Sequence, residues 1–92
     1  MLTILIYDVS NDRRRDRVQR VLKDYGVRVQ HSAFEARLTP RERTTLIRRV
    51  SAELDPATDR FGLYGITKEQ ETQLVWVGAA RPSTEKEQYF VI

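Results

Sequence analysis

The chain has 92 residues, of which 40% are hydrophobic and 32% are charged, and it contains no cysteine. This composition is typical of one globular domain, and it excludes disulfide-built folds, thiolate metal sites and disordered chains. The apolar N-terminal run lacks a basic leader and is shorter than a membrane span, so we expect a cytoplasmic protein.

The positive charge is concentrated in the first half of the chain. The formal net charge is +3, but residues 1–50 carry a net charge of +6, whereas residues 51–92 carry −3. Most of the cations are arginines, whose guanidinium groups bind phosphate oxygens through two donors. This asymmetry indicates a polyanionic partner, most often nucleic acid. A solvated charged surface is the alternative that composition leaves open.

The first predicted element is a strand over residues 2–8, whose nearly continuous apolar character is typical of a central strand. It ends at Asp8, and the next residues, Ser10, Asn11 and Asp12, are better placed to cap a following helix. Asp8 is therefore spare, and a spare carboxylate at a strand end is a reasonable oxygen ligand for Mg²⁺. One carboxylate is a poor metal site unless a two-fold axis adds a second copy.

A helix is predicted next, because apolar residues recur at helical spacing after the capping residues. Val18, Val21, Leu22 and Tyr25 form one apolar stripe. Gly26 is predicted to stop the helix as the residue after its C-cap.

A cluster of arginines lies at the start of this helix. Its members are Arg13, Arg14, Arg15, Arg17 and Arg20. Cations at a helix N-terminus oppose the helix dipole, so the cluster needs an anionic partner. Phosphate, bound by the side chains and by unpaired backbone N–H groups, is one solution. Ion pairs with Asp12 and Asp16 are the other, and the sequence does not choose between them.

Residues 27–38 are predicted to be β structure with an interruption. The inward phase defined by Val27 and Val29 is opposite to that of Phe34, so strict alternation fails between them. A β-bulge near residues 31–33, or a bend that divides the segment into two strands, resolves the conflict.

A second helix is predicted to begin at Thr39. Pro40 occupies its first position, and Glu42 completes a capping box with Thr39. Leu46 and Val50 belong to its buried stripe. The helix is predicted to end at the following Asp-Pro dipeptide.

The rest of the chain adds three predicted strands, over residues 60–66, 72–79 and 89–92. We expect the apolar last strand to pair with a sheet edge, the chain's own or a partner's. This order of elements predicts an α+β sandwich with two helices on one face of an antiparallel sheet. We divide the chain into a domain of residues 1–80 and a linker with a C-terminal strand, residues 81–92, for dimer contact.

Two motifs resemble a known family over nearly the whole chain. The first is Tyr7-Asp8 at the end of the first strand, followed by Arg15-x-Arg17. The second is YG-x-R-V-Q-x-S-x-F-E over residues 25–35. Together they resemble the small CRISPR-associated Cas2 family. The resemblance implies a ferredoxin-like fold and a homodimer whose sheets face each other, with the C-terminal strand crossing to the partner's sheet.

The resemblance also implies site residues. Asp8 maps onto the family's metal ligand, one from each protomer holding Mg²⁺ in the dimer cleft, and Asp8 and Tyr7 are the predicted catalytic residues. The residues predicted to bind nucleic acid, from the arginine cluster and from the resemblance, are Arg13, Arg14, Arg15, Arg17, Arg28, Ser32 and Phe34. On pattern alone Tyr7 is more typical of a core residue than of a base-stacking platform, and Phe34 is ambiguous.

The function implied by the resemblance is a metal-dependent endonuclease of RNA, with duplex DNA as the substrate of some members. It would act in CRISPR adaptation together with an integrase partner. One alternative is a non-catalytic duplex-DNA scaffold of the spacer-integration complex. Another is a toxin-like ribonuclease of the VapD type, which shares the fold.

Overall fold

The structure is a computed structural model that describes residues 1–78 and the short strand formed by residues 90 and 91. Its elements are β1 (Leu2–Asp8), α1 (Asp12–Lys23), β2 (Gly26–Gln30), β3 (Ala33–Arg37), α2 (Pro40–Ser51), β4 (Arg60–Ile66), α3 (Lys68–Glu71), β5 (Val75–Trp76) and β6 (Phe90–Val91). Within these ranges no helix is both long and apolar enough to cross a lipid bilayer.

The four longest strands form one antiparallel sheet in the order β2-β3-β1-β4. β1 lies inside the sheet between β3 and β4, which explains its continuous apolar run. The first six elements follow the order β-α-β-β-α-β, and with this strand order they form a ferredoxin-like sandwich. The predicted fold class is therefore confirmed.

Both long helices cover the same face of the sheet. The buried core between them is formed by Leu5, Tyr7, Val9, Val18, Leu22, Phe34, Ala36, Leu38, Leu46 and Val50. Along β1 the buried residues Leu5 and Tyr7 alternate with the exposed residues Ile6 and Asp8. Because consecutive side chains of a strand point to opposite faces, Asp8 lies on the face that the helices leave open.

The helix starts are where the sequence predicts them. The Asn11 side chain caps α1 by accepting a hydrogen bond from the backbone N–H of Arg14, at 2.9 Å. α2 begins with the predicted capping box, in which Thr39 and Glu42 each accept the other's backbone N–H, at 3.1 and 2.9 Å. These caps depend on residues close in sequence, which is why the pattern predicts them.

The predicted role of Gly26 is wrong. α1 ends at Lys23 with Asp24 as its C-cap, and Gly26 is the first residue of β2. A Cβ atom at Gly26 would lie 2.1 Å from the carbonyl oxygen of Glu35 on β3. Glycine is therefore required for the close approach of two strands and not for a helix stop.

The phase conflict in residues 27–38 is resolved by a hairpin. β2 and β3 are separate strands joined by a turn at His31 and Ser32, so the predicted bend is confirmed. The ladder between them also shifts register between Arg28 and Gln30. The turn and the register shift together place the side chain of Phe34 on the helix-covered face.

The region after β4 differs from its prediction. Residues 67–71, predicted as a turn, contain α3, because Thr67 and Gln70 form a second capping box. The strand predicted over residues 72–79 is reduced to β5, Val75–Trp76.

The C-terminal strand pairs within its own chain in this structure. β6 pairs in parallel with β5. Addition of this strand to a partner's sheet stays a prediction. The predicted linker, residues 81–87, lies outside the described residues.

Candidate functional site

Asp8 is the last residue of β1, at the edge of the sheet and on its open face. Its side chain is exposed, and its directly opposite neighbour on β4 is Arg60, which is exposed as well. Within the described chain neither side chain forms a hydrogen bond or an ion pair. An acid and a cation therefore lie side by side, both available to a ligand.

A depression of about 500 Å³ opens beside these two residues. Its lining residues are Ile6, Tyr7, Asp8, Ser32, Arg60, Phe61 and Gly62. β1 and β4 form its floor, and the β2–β3 turn contributes Ser32 at its border. A carboxylate, a hydroxyl and a guanidinium group thus surround a partly apolar floor, an arrangement that suits a ligand with both charged and apolar parts.

Tyr7 belongs to the core, although it borders the depression. Only 4% of the residue is exposed. Its hydroxyl donates a hydrogen bond to the carbonyl oxygen of His31, at 2.8 Å, and accepts one from the side-chain amide of Gln19, at 2.9 Å. The predicted catalytic role of Tyr7 stays a prediction, but the hydroxyl, engaged as donor and as acceptor, has a structural role. That role is to fix the turn beside Asp8.

Phe34 is also in the core. It is fully buried, and its ring packs against the ring of Tyr7 with centroids 6.2 Å apart and planes inclined by 45°. A buried ring presents no face to a base. The structure therefore gives Phe34 a packing role, and its predicted binding of nucleic acid stays a prediction.

Arg14 forms a two-point ion pair with a buried carboxylate. Its Nε and Nη2 atoms donate to the two oxygens of Asp59, at 2.8 and 3.3 Å, and the Asp59 side chain is fully buried. Asp59 also accepts hydrogen bonds from the backbone of Asp55 and the hydroxyl of Thr58. The hydrogen bonds from Arg14 and Asp55 lower the pKa of Asp59 to about 2. Arg14 therefore anchors the loop that leads into β4.

Two more arginines of the cluster are paired. Arg15 binds the carboxylate of Asp12 and the carbonyl oxygen of Val9, and Arg17 binds Glu53 at 2.9 Å. Pairing with Asp12 is one of the two predicted alternatives, whereas the pair with Glu53 joins distant segments. The side chains of Arg15 and Arg17 nevertheless stay 37% and 47% exposed, so they are accessible to a ligand.

The other predicted nucleic-acid-binding residues occupy different positions. Arg13 is exposed and has no ion pair in the part of the chain that the structure describes. Arg28 folds onto the hairpin turn, where it donates to the carbonyl oxygens of Gln30 and His31, at 3.3 and 2.6 Å. Only Ser32 of this group borders the depression beside Asp8.

Arg60 is the site residue that sequence reasoning missed. In the sequence it is only the first residue of a predicted strand. Its position beside Asp8 depends on the pairing register of β1 and β4, whose ends are separated by more than fifty residues. Local pattern does not encode that register, so no signal in the sequence marks this residue.

The chemistry of Asp8 is compatible with Mg²⁺. Carboxylate oxygens are the ligands that Mg²⁺ prefers, and this ion is commonly held by one or two carboxylates with water in its other positions. No group of three or more His, Cys, Asp or Glu residues lies together in the described part of one chain. Among the residues that line the depression, Asp8 is the one carboxylate, so the donor set would fit Mg²⁺ if a second copy contributed its own.

The fold and the site together define a small ferredoxin-like protein whose open sheet face presents an exposed carboxylate with arginines close by. The family model described as "CRISPR associated protein Cas2" matches residues 1–74. The chain therefore belongs to the Cas2 family, and the family inferred from the two motifs is confirmed.

Named relatives and solved structures agree with this assignment. A protein of Chloroflexus aurantiacus named "CRISPR-associated endoribonuclease Cas2 3" is 37% identical over 91 residues, which cover 99% of this chain and 98% of the relative. The structure of Streptococcus pyogenes Cas2 matches with a TM-score of 0.69 and 33% identity, over 80% of this chain and 95% of that one. A hypothetical protein of Thermus thermophilus matches with a TM-score of 0.70 and 38% identity, over 72% and 80% of the two chains.

Proposed function

We propose that the protein is a Mg²⁺-dependent endonuclease that hydrolyses phosphodiester bonds of RNA, and of duplex DNA as a second substrate, in CRISPR adaptation. The observation that carries this proposal is Asp8, an exposed carboxylate that forms no hydrogen bond or ion pair in the described chain and lies directly opposite the cationic Arg60. The names of the relatives, which are CRISPR-associated endoribonucleases, support the class of reaction.

The proposal includes a homodimer formed through the open face of the sheet. Ile6 and Tyr64 are 38% and 61% exposed. Tyr64 is the direct cross-strand neighbour of Ile4, so it lies on the same face as Ile6 and Asp8. Exposed apolar side chains on one face support association with a second copy. A two-fold axis near Asp8 would then bring two such carboxylates together.

Each residue has a defined task in this proposal. Asp8 holds the metal ion together with its copy from the second protomer. Mg²⁺, when bound, neutralises charge on the phosphate and lowers the pKa of water for the attack. The accessible side chains of Arg13, Arg15 and Arg17 bind phosphates of the nucleic acid. Tyr7 fixes the neighbouring turn and stays away from the reacting groups.

A Mg²⁺ titration of cleavage tests this function. Wild-type protein and Asp8→Asn are compared on a single-stranded RNA and on duplex DNA of the same sequence, with EDTA as the metal-free arm. We expect Mg²⁺-dependent cleavage by the wild type and a loss of about 100-fold or more in the variant. Asp16→Asn, which removes an exposed acid of α1, is the matched control and retains activity. Undiminished Mg²⁺-dependent cleavage by Asp8→Asn would refute the proposal.

The second candidate function is a duplex-DNA scaffold that supports the integrase without cutting. The presence of only one carboxylate in the depression of each protomer favours it. In this case spacer acquisition in cells persists with Asp8→Asn and fails when Arg13, Arg15 and Arg17 are replaced together by alanine. Loss of acquisition with Asp8→Asn alone would exclude a purely non-catalytic role.

A further inference from the structure

We propose that Arg60 is a phosphate-binding residue of the Asp8 site and that it holds the nucleic-acid backbone next to the carboxylate. The inference rests on the proposed function in one respect, since it takes nucleic acid to be the ligand of the depression beside Asp8. Arg60 belongs to neither of the two sequence motifs, and the structure alone brings it to the site.

The pairing register of the sheet places Arg60 next to Asp8. Asp8 and Arg60 are direct cross-strand partners at the end of the β1–β4 ladder. Directly opposite residues of an antiparallel pair project to the same face, with Cβ atoms about 4.5–5.5 Å apart. A phosphodiester bound beside the Asp8 carboxylate is therefore within reach of the guanidinium group of Arg60.

Arg60, unlike five other arginines, has no carboxylate partner in the described chain. Each of five other arginines binds a carboxylate, in the pairs Arg14–Asp59, Arg15–Asp12, Arg17–Glu53, Arg37–Glu71 and Arg49–Asp24. Opposite charges in direct cross-strand positions attract each other. Even so, no ion pair joins Asp8 and Arg60, and neither side chain binds another described residue. The guanidinium group of Arg60 thus keeps its five donors for an external anion.

The backbone before Arg60 is fixed. The preceding residue, Asp59, is buried and accepts hydrogen bonds from Arg14, from Thr58 and from the backbone of Asp55. These hydrogen bonds hold the start of β4 in place while the Arg60 side chain extends into solvent. A side chain on an anchored backbone loses less conformational entropy when it binds, which favours a role as a binding residue.

The floor of the depression indicates the class of ligand. Ile6 supplies apolar surface on the same face as Asp8, whereas Phe61, the direct cross-strand partner of the buried Tyr7, lines the depression and packs against the core. At Gly62 the missing side chain keeps this floor open, since a Cβ there would come within 3.3 Å of Ile6. A phosphodiester, which carries a charged phosphate next to a less polar sugar, matches this combination of a guanidinium group and a small apolar surface.

Binding measured without divalent metal tests the inference, because it does not require cleavage. The probes are a fluorescein-labelled single-stranded RNA and the duplex DNA of the same sequence, followed by fluorescence anisotropy over a range of salt concentrations. We expect Arg60→Ala to weaken binding about tenfold. We also expect its slope of log K against log salt to fall by about 0.7–0.9 for each phosphate that the variant no longer binds. We expect Arg60→Lys to retain the salt slope but to lose part of the affinity. Lysine keeps the positive charge but lacks the planar guanidinium group that donates two parallel hydrogen bonds to a phosphate.

Arg41→Ala is the matched control. Arg41 is an exposed arginine of α2, on the helix-covered side of the sheet, and has no ion pair among the described residues. We expect this variant to bind like the wild type. An equal loss of affinity in Arg41→Ala and Arg60→Ala would overturn the inference, because it would show a general effect of positive charge. Unchanged affinity and slope in Arg60→Ala would overturn it as well.

The Asp8→Asn background separates phosphate binding from simple neutralisation of Asp8. If Arg60 binds phosphate directly, Arg60→Ala still weakens binding about tenfold in this background. If Arg60 only offsets the charge of Asp8, the effect disappears there, and the inference is wrong. Wild-type protein that binds but does not cut would refute the nuclease while leaving the role of Arg60 intact. Unchanged melting temperatures confirm that the variants are folded.

Discussion

The two faces of the sheet are built from alternate residues of the same strands, yet they differ in burial and in bonding. Tyr7, on the helix-covered side, and Asp59, directly before β4, are buried, and their side chains have hydrogen-bond partners. The next residue in each case, Asp8 or Arg60, has an exposed side chain that forms no hydrogen bond or ion pair in the described chain. Because the side-chain period of a strand is two, neighbours in one motif can have unrelated tasks. The Tyr7-Asp8 motif therefore combines a buried, hydrogen-bonded residue with an exposed one.

The largest expected effect concerns stability on the helix-covered face. Phe34→Ala removes a fully buried ring and should lower the free energy of unfolding by about 3–5 kcal/mol. Tyr64→Ala on the open face is the matched control. It should change the free energy of unfolding of the monomer by no more than about 0.5 kcal/mol, because Tyr64 is 61% exposed. Chemical denaturation at low protein concentration measures both, and equal losses would remove the distinction between the faces.

The next effect is the pH dependence of the Asp59 anchor. The pKa of Asp59 in the folded protein is about 2, below the value of about 4 for an unfolded chain. Its contribution to stability is therefore complete above pH about 4 and is lost as the pH falls through about 2. Asp59→Asn should be less stable than the wild type at neutral pH, and the difference should shrink over this acid range.

Urea denaturation at a series of pH values measures this difference. Asp16→Asn, which changes an exposed aspartate, is the control and should follow the wild-type profile at each pH. If the free energies of unfolding of the wild type and Asp59→Asn differed by a constant amount from neutral to acid pH, the stabilising role of the ionised Asp59 side chain would be contradicted.

The smallest expected effect sharpens the contrast between Tyr7 and Asp8. Tyr7→Phe keeps the ring and removes the hydroxyl that binds His31 and Gln19, so the free energy of unfolding should fall by about 1 kcal/mol. The carbonyl oxygen of His31 still accepts a hydrogen bond from Arg28. Cleavage below the melting temperature should stay close to that of the wild type. A folded Tyr7→Phe protein without activity would restore the predicted catalytic role of Tyr7.

The roles of the arginines show where prediction from sequence ends. The cluster at the start of α1 is visible as a pattern, and pairing of Arg15 with Asp12 lies within one helical turn. The partners of Arg14 and Arg17 are 45 and 36 residues away. Pairing between such distant segments depends on how the helices and the loop before β4 pack, which local spacing does not report.

The sequence by itself determined the first strand, the starts and caps of the two long helices, the α+β order of the elements through residue 66 and the two motifs, whose resemblance to the family implied the ferredoxin-like fold. These features follow from propensity, side-chain periodicity and capping within a few residues of each other. Only the tertiary structure decided that Tyr7 and Phe34 are core residues and that Arg60 lies beside Asp8. Burial and strand register arise when distant segments pack together, so the same apolar or basic residue can be structural or exposed depending on the face it reaches.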